Sequence, residues 1–124
     1  PVYAIDYVSD EKQMARLYNA VDAYVTPSLE DNLPNTIVEA LSCGVPCVGF
    51  NVGGIPEMID HRKNGYLAEA RNAEDLAEGI RFILETASRE ELSAHAVHSA
   101  LANYGETNVA SKYIAVYKRA SEKR

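Results

Sequence analysis

Glu30, Asp31 and Glu39 place three carboxylates on a short stretch that leaves the turn signal Pro27-Ser28 and ends at Gly44. Glu30 and Asp31 precede Pro34 and a helix read over Asn35 to Cys43, with Glu39 about one turn inside it. A helix start carries free N–H groups that bind a phosphate. Carboxylates beside a phosphate cradle conflict unless the anion also carries polyols. Carboxylates accept hydrogen bonds from vicinal hydroxyls, as the acidic residue of dinucleotide folds does with ribose. The combination points to a nucleotide-sugar.

The same stretch lacks cations. No Lys or Arg occurs between Leu17 and His61, and a helix dipole supplies only about half a unit charge against the two of a diphosphate. The balancing charge has to come from elsewhere. Other chemistry is thin: Ser28 and Ser42 have no nearby His, so no triad is visible and no residue is assigned as catalytic. Cys43 and Cys47 lack the Cys-x-x-Cys spacing and read as small buried hydrophobes in a reducing compartment. His95 and His98 read as ordinary helix positions, and His61, beside Arg62 and Lys63, as part of a solvated loop. Without a third ligand or an Asp-x-Asp pattern, no metal is expected. Glu57 stays open between capping its own helix and touching a ligand.

These residues have to be positioned by alternating strands and helices. Val2 to Ile5 reads as a strand, and Ser9 as the N-cap of a helix with Met14, Leu17, Tyr18 and Val21 on one stripe. A strand at Ala23 to Thr26, the helix ending at Gly44 and a strand at Cys47 to Phe50 follow. Asn51 to Gly54 is a loop before a helix start at Pro56, and Asn64-Gly65 is a turn before a strand at Tyr66 to Ala68. Asn72 caps a helix with Leu76, Ile80, Ile83 and Leu84 inward, and Ser88 with Glu91 forms a capping box. A last helix spans Thr107 to Arg119, with Val109, Tyr113, Val116 and Tyr117 on one stripe, and the tail from Ser121 frays. The alternation predicts an α/β fold: a Rossmann-like parallel sheet flanked by helices, with ligands beyond the carboxyl ends of the strands.

The 124 residues suffice for one domain and not for two. With 47% apolar and 24% charged residues the chain forms an ordinary packed core. A net charge of −6 argues against nucleic acid and anionic membrane surfaces as general partners. No apolar run is long enough to span a bilayer and no signal pattern opens the chain, so a cytoplasmic setting is expected.

The stretch from Pro27 to Pro46, followed by Gly53-Gly54-Ile55-Pro56-Glu57 and Asn64-Gly65, closely resembles the C-terminal domain of group 1 (GT4-type) retaining glycosyltransferases of the GT-B fold. The likeness covers about Pro1 to Leu84, and Thr107 to Arg119 resembles the family's closing helix. It implies that residues 1–124 are a partial C-terminal domain, without the N-terminal domain and the first strand-helix units. It also implies a nucleotide-sugar donor as substrate, no cofactor, and no metal at the leaving diphosphate. The family's two acids, with seven residues between them, bind the donor sugar and the nucleotide ribose. Carried over, the ribose-binding acid is Glu39 and the first falls on Asp31, with Glu30 just before it; which of Glu30 and Asp31 touches the sugar stays open. The phosphate-binding amides fall on Asn32, Leu33 and Asn35, since Pro34 has no N–H, and Thr36 adds a hydroxyl. The family's phosphate-binding Arg and Lys would lie upstream of Pro1.

The resemblance implies sugar transfer with retention in glycan or polysaccharide biosynthesis, the acceptor meeting the absent N-terminal domain. Peripheral membrane association of the full-length enzyme stays open. The isolated chain is expected to be inactive and to bind donor weakly, and its unpaired sheet edge at Val2 to Ile5 or Ala23 to Thr26 is a place for dimer pairing. Two other readings stand beside this one: a related GT-B nucleotide-sugar epimerase, and a non-catalytic α/β ligand-binding module.

Overall fold

A computed structural model describes residues 11–27, 35–104 and 113–115. The elements are α1 (Glu11–Ala20), β1 (Tyr24–Thr26), α2 (Asn35–Ser42), β2 (Cys47–Phe50), α3 (Ile55–Met58), β3 (Gly65–Ala68), α4 (Ala73–Arg81), a π-helical turn (Phe82–Thr86) and α5 (Arg89–Tyr104). Residues 113–115 are helical, inside the segment read as a closing helix. The expected strand at Val2 to Ile5, the Ser9 cap and most of the closing helix lie outside the described residues.

The three strands form a parallel sheet in the order β1-β2-β3. Their side chains alternate between two cores, as a strand period of two requires. Tyr24, Cys47 and Leu67 face a core shared with Ile37, Leu41, Ile55 and Ala96. Val25, Val48, Phe50, Tyr66 and Ala68 face the other, with Leu76, Ile80 and Ile83. Helices therefore cover both faces, and the strands read as continuous apolar runs because neither face meets water.

α2 is the most enclosed helix. Ile37, Ala40 and Leu41 are fully buried, each of the two larger side chains worth about 2 kcal/mol of burial, and α2 packs most extensively on α5. The small Ala96 and Ala100, one turn apart on α5, are fully buried. The helix ends as its sequence suggests: Gly44 adopts φ 74°, its N–H donates to Leu41 O at 2.9 Å and the Val45 N–H to Ala40 O at 2.9 Å. These two bonds satisfy the last carbonyls of the helix.

Gly65 is required by close approach. A Cβ there would lie 2.0 Å from the Cys47 carbonyl oxygen, so any other residue would force β3 away from β2. The preceding Asn64, read from sequence as half of a turn, is also a buried polar staple. Its Oδ1 accepts from Asp60 N at 2.8 Å, and its Nδ2 donates to Met58 O at 3.1 Å and to Ser99 Oγ at 3.0 Å. The turn thereby ties α3 to α5.

Two side chains leave their expected stripes. Val21 is 40% exposed because α1 stops at Ala20; Tyr18 is buried as expected, and Ala15 joins it in the core. Leu84 is 56% exposed because the helix does not continue in α phase: Ala87 N donates to Phe82 O, five residues back, at 2.9 Å. The wider π turn shifts the phase of the following side chains, keeping Ile83 inside and turning Leu84 out. The two caps match the reading: Asn72 Oδ1 accepts from Asp75 N at 3.0 Å, and Ser88 Oγ accepts from Glu91 N at 3.4 Å.

Candidate functional site

Because β1 and β2 are parallel with Thr26 opposite Gly49, both strands end on one edge of the sheet. The chain leaves that edge toward α2 in one case and toward α3 in the other, the placement expected of ligand loops in open parallel sheets.

Of the predicted site residues, Glu30, Asp31, Asn32 and Leu33 lie outside the described residues, as does Pro34. Asn35 is the first residue of α2. Thr36, in the first turn, is exposed, and Glu39 is half-buried. Three positions apart, they occupy neighbouring places on one helix face.

Glu39 is not a plain solvent-facing residue. The Tyr18 hydroxyl, from α1, donates to Glu39 Oε2 at 3.0 Å, and among the described residues this is the hydrogen bond its carboxylate accepts. Tyr18 is only 4% exposed, and two tyrosines grip its ring edge-on: Tyr24 at 6.2 Å and 71°, and Tyr113 at 5.8 Å and 74°. Burial foremost, and the Glu39 charge next, push the Tyr18 phenol above its ordinary ionisation range. It stays a protonated donor. Tyr18 was legible from sequence only as a packing residue; the signal it carried is that a buried tyrosine hydroxyl needs a partner.

One turn beyond Glu39, Cys43 is buried, with its Sγ 3.9 Å from the Tyr113 carbonyl oxygen. Burial first and Glu39 second push its thiol up to about 12. Burial alone pushes the fully enclosed Cys47 thiol upward as well. Neither thiol offers a thiolate nucleophile, and both are free, as the spacing suggested.

Four of the described cations are engaged elsewhere. Lys63 pairs with Asp60 at 3.9 Å, Arg81 with Glu78 at 3.3 Å and Arg89 with Asp22, while Arg62 stacks over Phe82 at 5.2 Å. Among the described residues, no ion pair reaches Glu39.

Glu57 is exposed in the first turn of α3, and after burial its charge is what raises the Tyr104 phenol. His95 and His98 are exposed on α5. His61, read as part of a solvated loop, is exposed but structurally engaged. Its Nδ1 accepts from Leu67 N at 3.0 Å, and its ring lies edge-on to Tyr66 at 4.5 Å. The isolated pairing of His61 with Gly65 brings it beside β3.

A second tyrosine-carboxylate pair lies at the other core. Tyr66 donates to Asp75 Oδ1 at 2.7 Å, and the Glu69 N–H donates to Asp75 Oδ2 at 2.7 Å. The Glu69 amide first and Tyr66 second hold the Asp75 carboxyl below its usual range.

A family model described as glycosyl transferases group 1 matches residues 2–99. A Campylobacter jejuni N,N'-diacetylbacillosaminyl-diphospho-undecaprenol alpha-1,3-N-acetylgalactosaminyltransferase is 32% identical over 117 residues, covering 94% of this chain and 31% of that relative. Among solved structures, Anabaena HepE in complex with UDP superposes with a TM-score of 0.67 at 24% identity, over 87% of this chain and 28% of that one. The C-terminal domain of a group 1 family glycosyl transferase from Francisella tularensis superposes with a TM-score of 0.68 at 22% identity, over 81% of this chain and 52% of that one. The two superpositions establish the fold. The chain spans less than a third of the length of the curated relatives it matches. Among the described residues, no helix is long and apolar enough to cross a membrane.

Proposed function

Because this chain belongs to the glycosyl transferases group 1 family, as part of the family's C-terminal domain, we propose that the full-length protein transfers a sugar from a nucleotide-sugar to an acceptor with retention. The chain supplies the donor-binding half of that reaction. Glu39 accepts hydrogen bonds from the ribose hydroxyls, Glu30 or Asp31 meets the donor sugar, and the amides of Asn32, Leu33 and Asn35 with the Thr36 hydroxyl meet the phosphates. The acceptor, a sugar or a lipid-linked glycan, meets the rest of the protein, which works in the cytoplasm without a metal.

One observation carries this reading: among the described residues, a half-buried carboxylate one turn into α2 is approached by a single phenol proton. A carboxylate offers about four lone-pair sites, so most of its accepting capacity remains for a ligand. The HepE structure was solved with UDP, which supports a uridine nucleotide as the first ligand to try. The lack of any Lys or Arg between Leu17 and His61 supports cations contributed from outside this stretch, and the isolated chain is expected to bind donor poorly.

The test is Glu39→Ala in the full-length protein, followed by donor titration and product analysis. Losing hydrogen bonds from two hydroxyls to a charged group is expected to weaken donor binding about a hundredfold. Unchanged donor affinity and turnover would remove Glu39 from the site, and product formed without any acceptor would indicate an epimerase.

A further inference from the structure

We propose that Tyr18 is a positioning residue for the nucleotide: its phenol fixes the Glu39 carboxylate in the orientation that receives the ribose hydroxyls. The inference rests on the donor-site reading of Glu39 and extends it to a residue on a different helix.

The geometry has three parts. The hydrogen bond joins α1 to α2 across 21 positions of sequence at 3.0 Å, so it is a tertiary contact and not a by-product of one helix. The Tyr18 ring cannot swing aside, because it is 4% exposed and wedged edge-on between Tyr24 and Tyr113. Glu39, by contrast, is a flexible side chain on a half-exposed position. Ordering such a side chain at the moment of binding costs conformational entropy and so weakens binding. A rigid donor that orders it beforehand removes that cost from the binding step.

The chemistry explains why a tyrosine suits this place. A phenol has one proton to give, and Tyr18 gives it to Oε2. Among the described residues no other group meets Oε1 or the second lone pair of Oε2, which can receive two neighbouring hydroxyls. An arginine in the same place would engage both oxygens side by side and cancel the charge. The uncharged phenol adds no opposing charge beside the carboxylate, so its oxygens keep their strength as acceptors. Burial and the neighbouring carboxylate keep the phenol protonated, so it serves as donor throughout the neutral pH range.

A tyrosine that merely satisfies its own hydroxyl gives a different experimental signature. In the full-length protein, calorimetric titration uses UDP, or the nucleoside diphosphate the protein selects, together with the 2′,3′-dideoxy form of the same nucleotide. Tyr18→Phe keeps the ring and is expected to weaken binding of the ribonucleotide about tenfold while changing that of the dideoxy form by less than about twofold. In a Glu39→Gln background the same substitution is expected to add nothing, which keeps the proposal testable if the single variant folds poorly. Equal weakening of both probes, or undiminished ribonucleotide affinity in Tyr18→Phe, would overturn the positioning role. Loss in neither Tyr18→Phe nor Glu39→Gln would overturn the Glu39 reading on which it rests; loss in Glu39→Gln alone would overturn only the role of Tyr18.

Discussion

Among the described residues, Tyr18 and Tyr66 each hold a carboxylate, and the two pairs are finished differently. Tyr66 and the Glu69 amide each occupy one oxygen of Asp75, and the same residue stands in the first turn of α4, where its own N–H meets the Asn72 cap. That pair is closed, and its work is to fasten α4 to the end of β3. Tyr18 occupies one oxygen of Glu39, and among the described residues nothing occupies the other. That pair is open. A carboxylate with both oxygens bonded secures the fold, whereas one held by a single oxygen is available to a ligand. Residue type alone does not separate the two; the second donor does.

Both pairs stand on the same parallel sheet, and breaking that frame is expected to cost the most. Gly65→Ala puts a methyl against the Cys47 carbonyl and is expected to cost about 3 kcal/mol or more, lowering the unfolding temperature and nucleotide binding together. Binding preserved in a fully stable Gly65→Ala variant would show that the sheet spacing is softer than described.

Opening the closed pair is expected to cost less. Asp75→Ala strands the Tyr66 hydroxyl and the Glu69 N–H and is expected to destabilise the full-length protein by about 2 kcal/mol, with nucleotide affinity unchanged. The pH dependence follows in sign. The folded state holds Asp75 below its ordinary carboxyl range, so its stabilisation is present above the unfolded pKa and fades as pH falls through the folded one. Asp75→Asn should flatten that acid limb of the unfolding temperature, measured from about pH 5 downward. An unaltered limb would remove Asp75 from the structural role.

Much of the frame was legible in the sequence because its signals are local. Cys47 to Phe50 announced a strand buried on both faces, Gly44 a left-handed stop, and Asn72 and Ser88 their caps; all stand in the structure. The failures came where a local rule met a tertiary choice. Leu84 followed an α-helical stripe that the π turn interrupted, and Val21 extended a stripe past the end of its helix. Asn64 looked like turn chemistry, yet its side chain bonds to Ser99, 35 positions away, a separation no spacing rule reaches. Glu39 was legible through its motif. Tyr18 as its partner was not, since a core tyrosine and a positioning tyrosine share the same helical spacing.

The most direct test sets the two carboxylates side by side in the full-length protein. Glu39→Gln and Asp75→Asn are compared for nucleotide affinity by calorimetry and for unfolding temperature. Glu39→Gln is expected to weaken nucleotide binding about tenfold or more with the unfolding temperature nearly unmoved, and Asp75→Asn to lower the unfolding temperature with affinity intact. If both substitutions moved only the unfolding temperature, Glu39 would be a second structural carboxylate and the donor-site assignment would be contradicted.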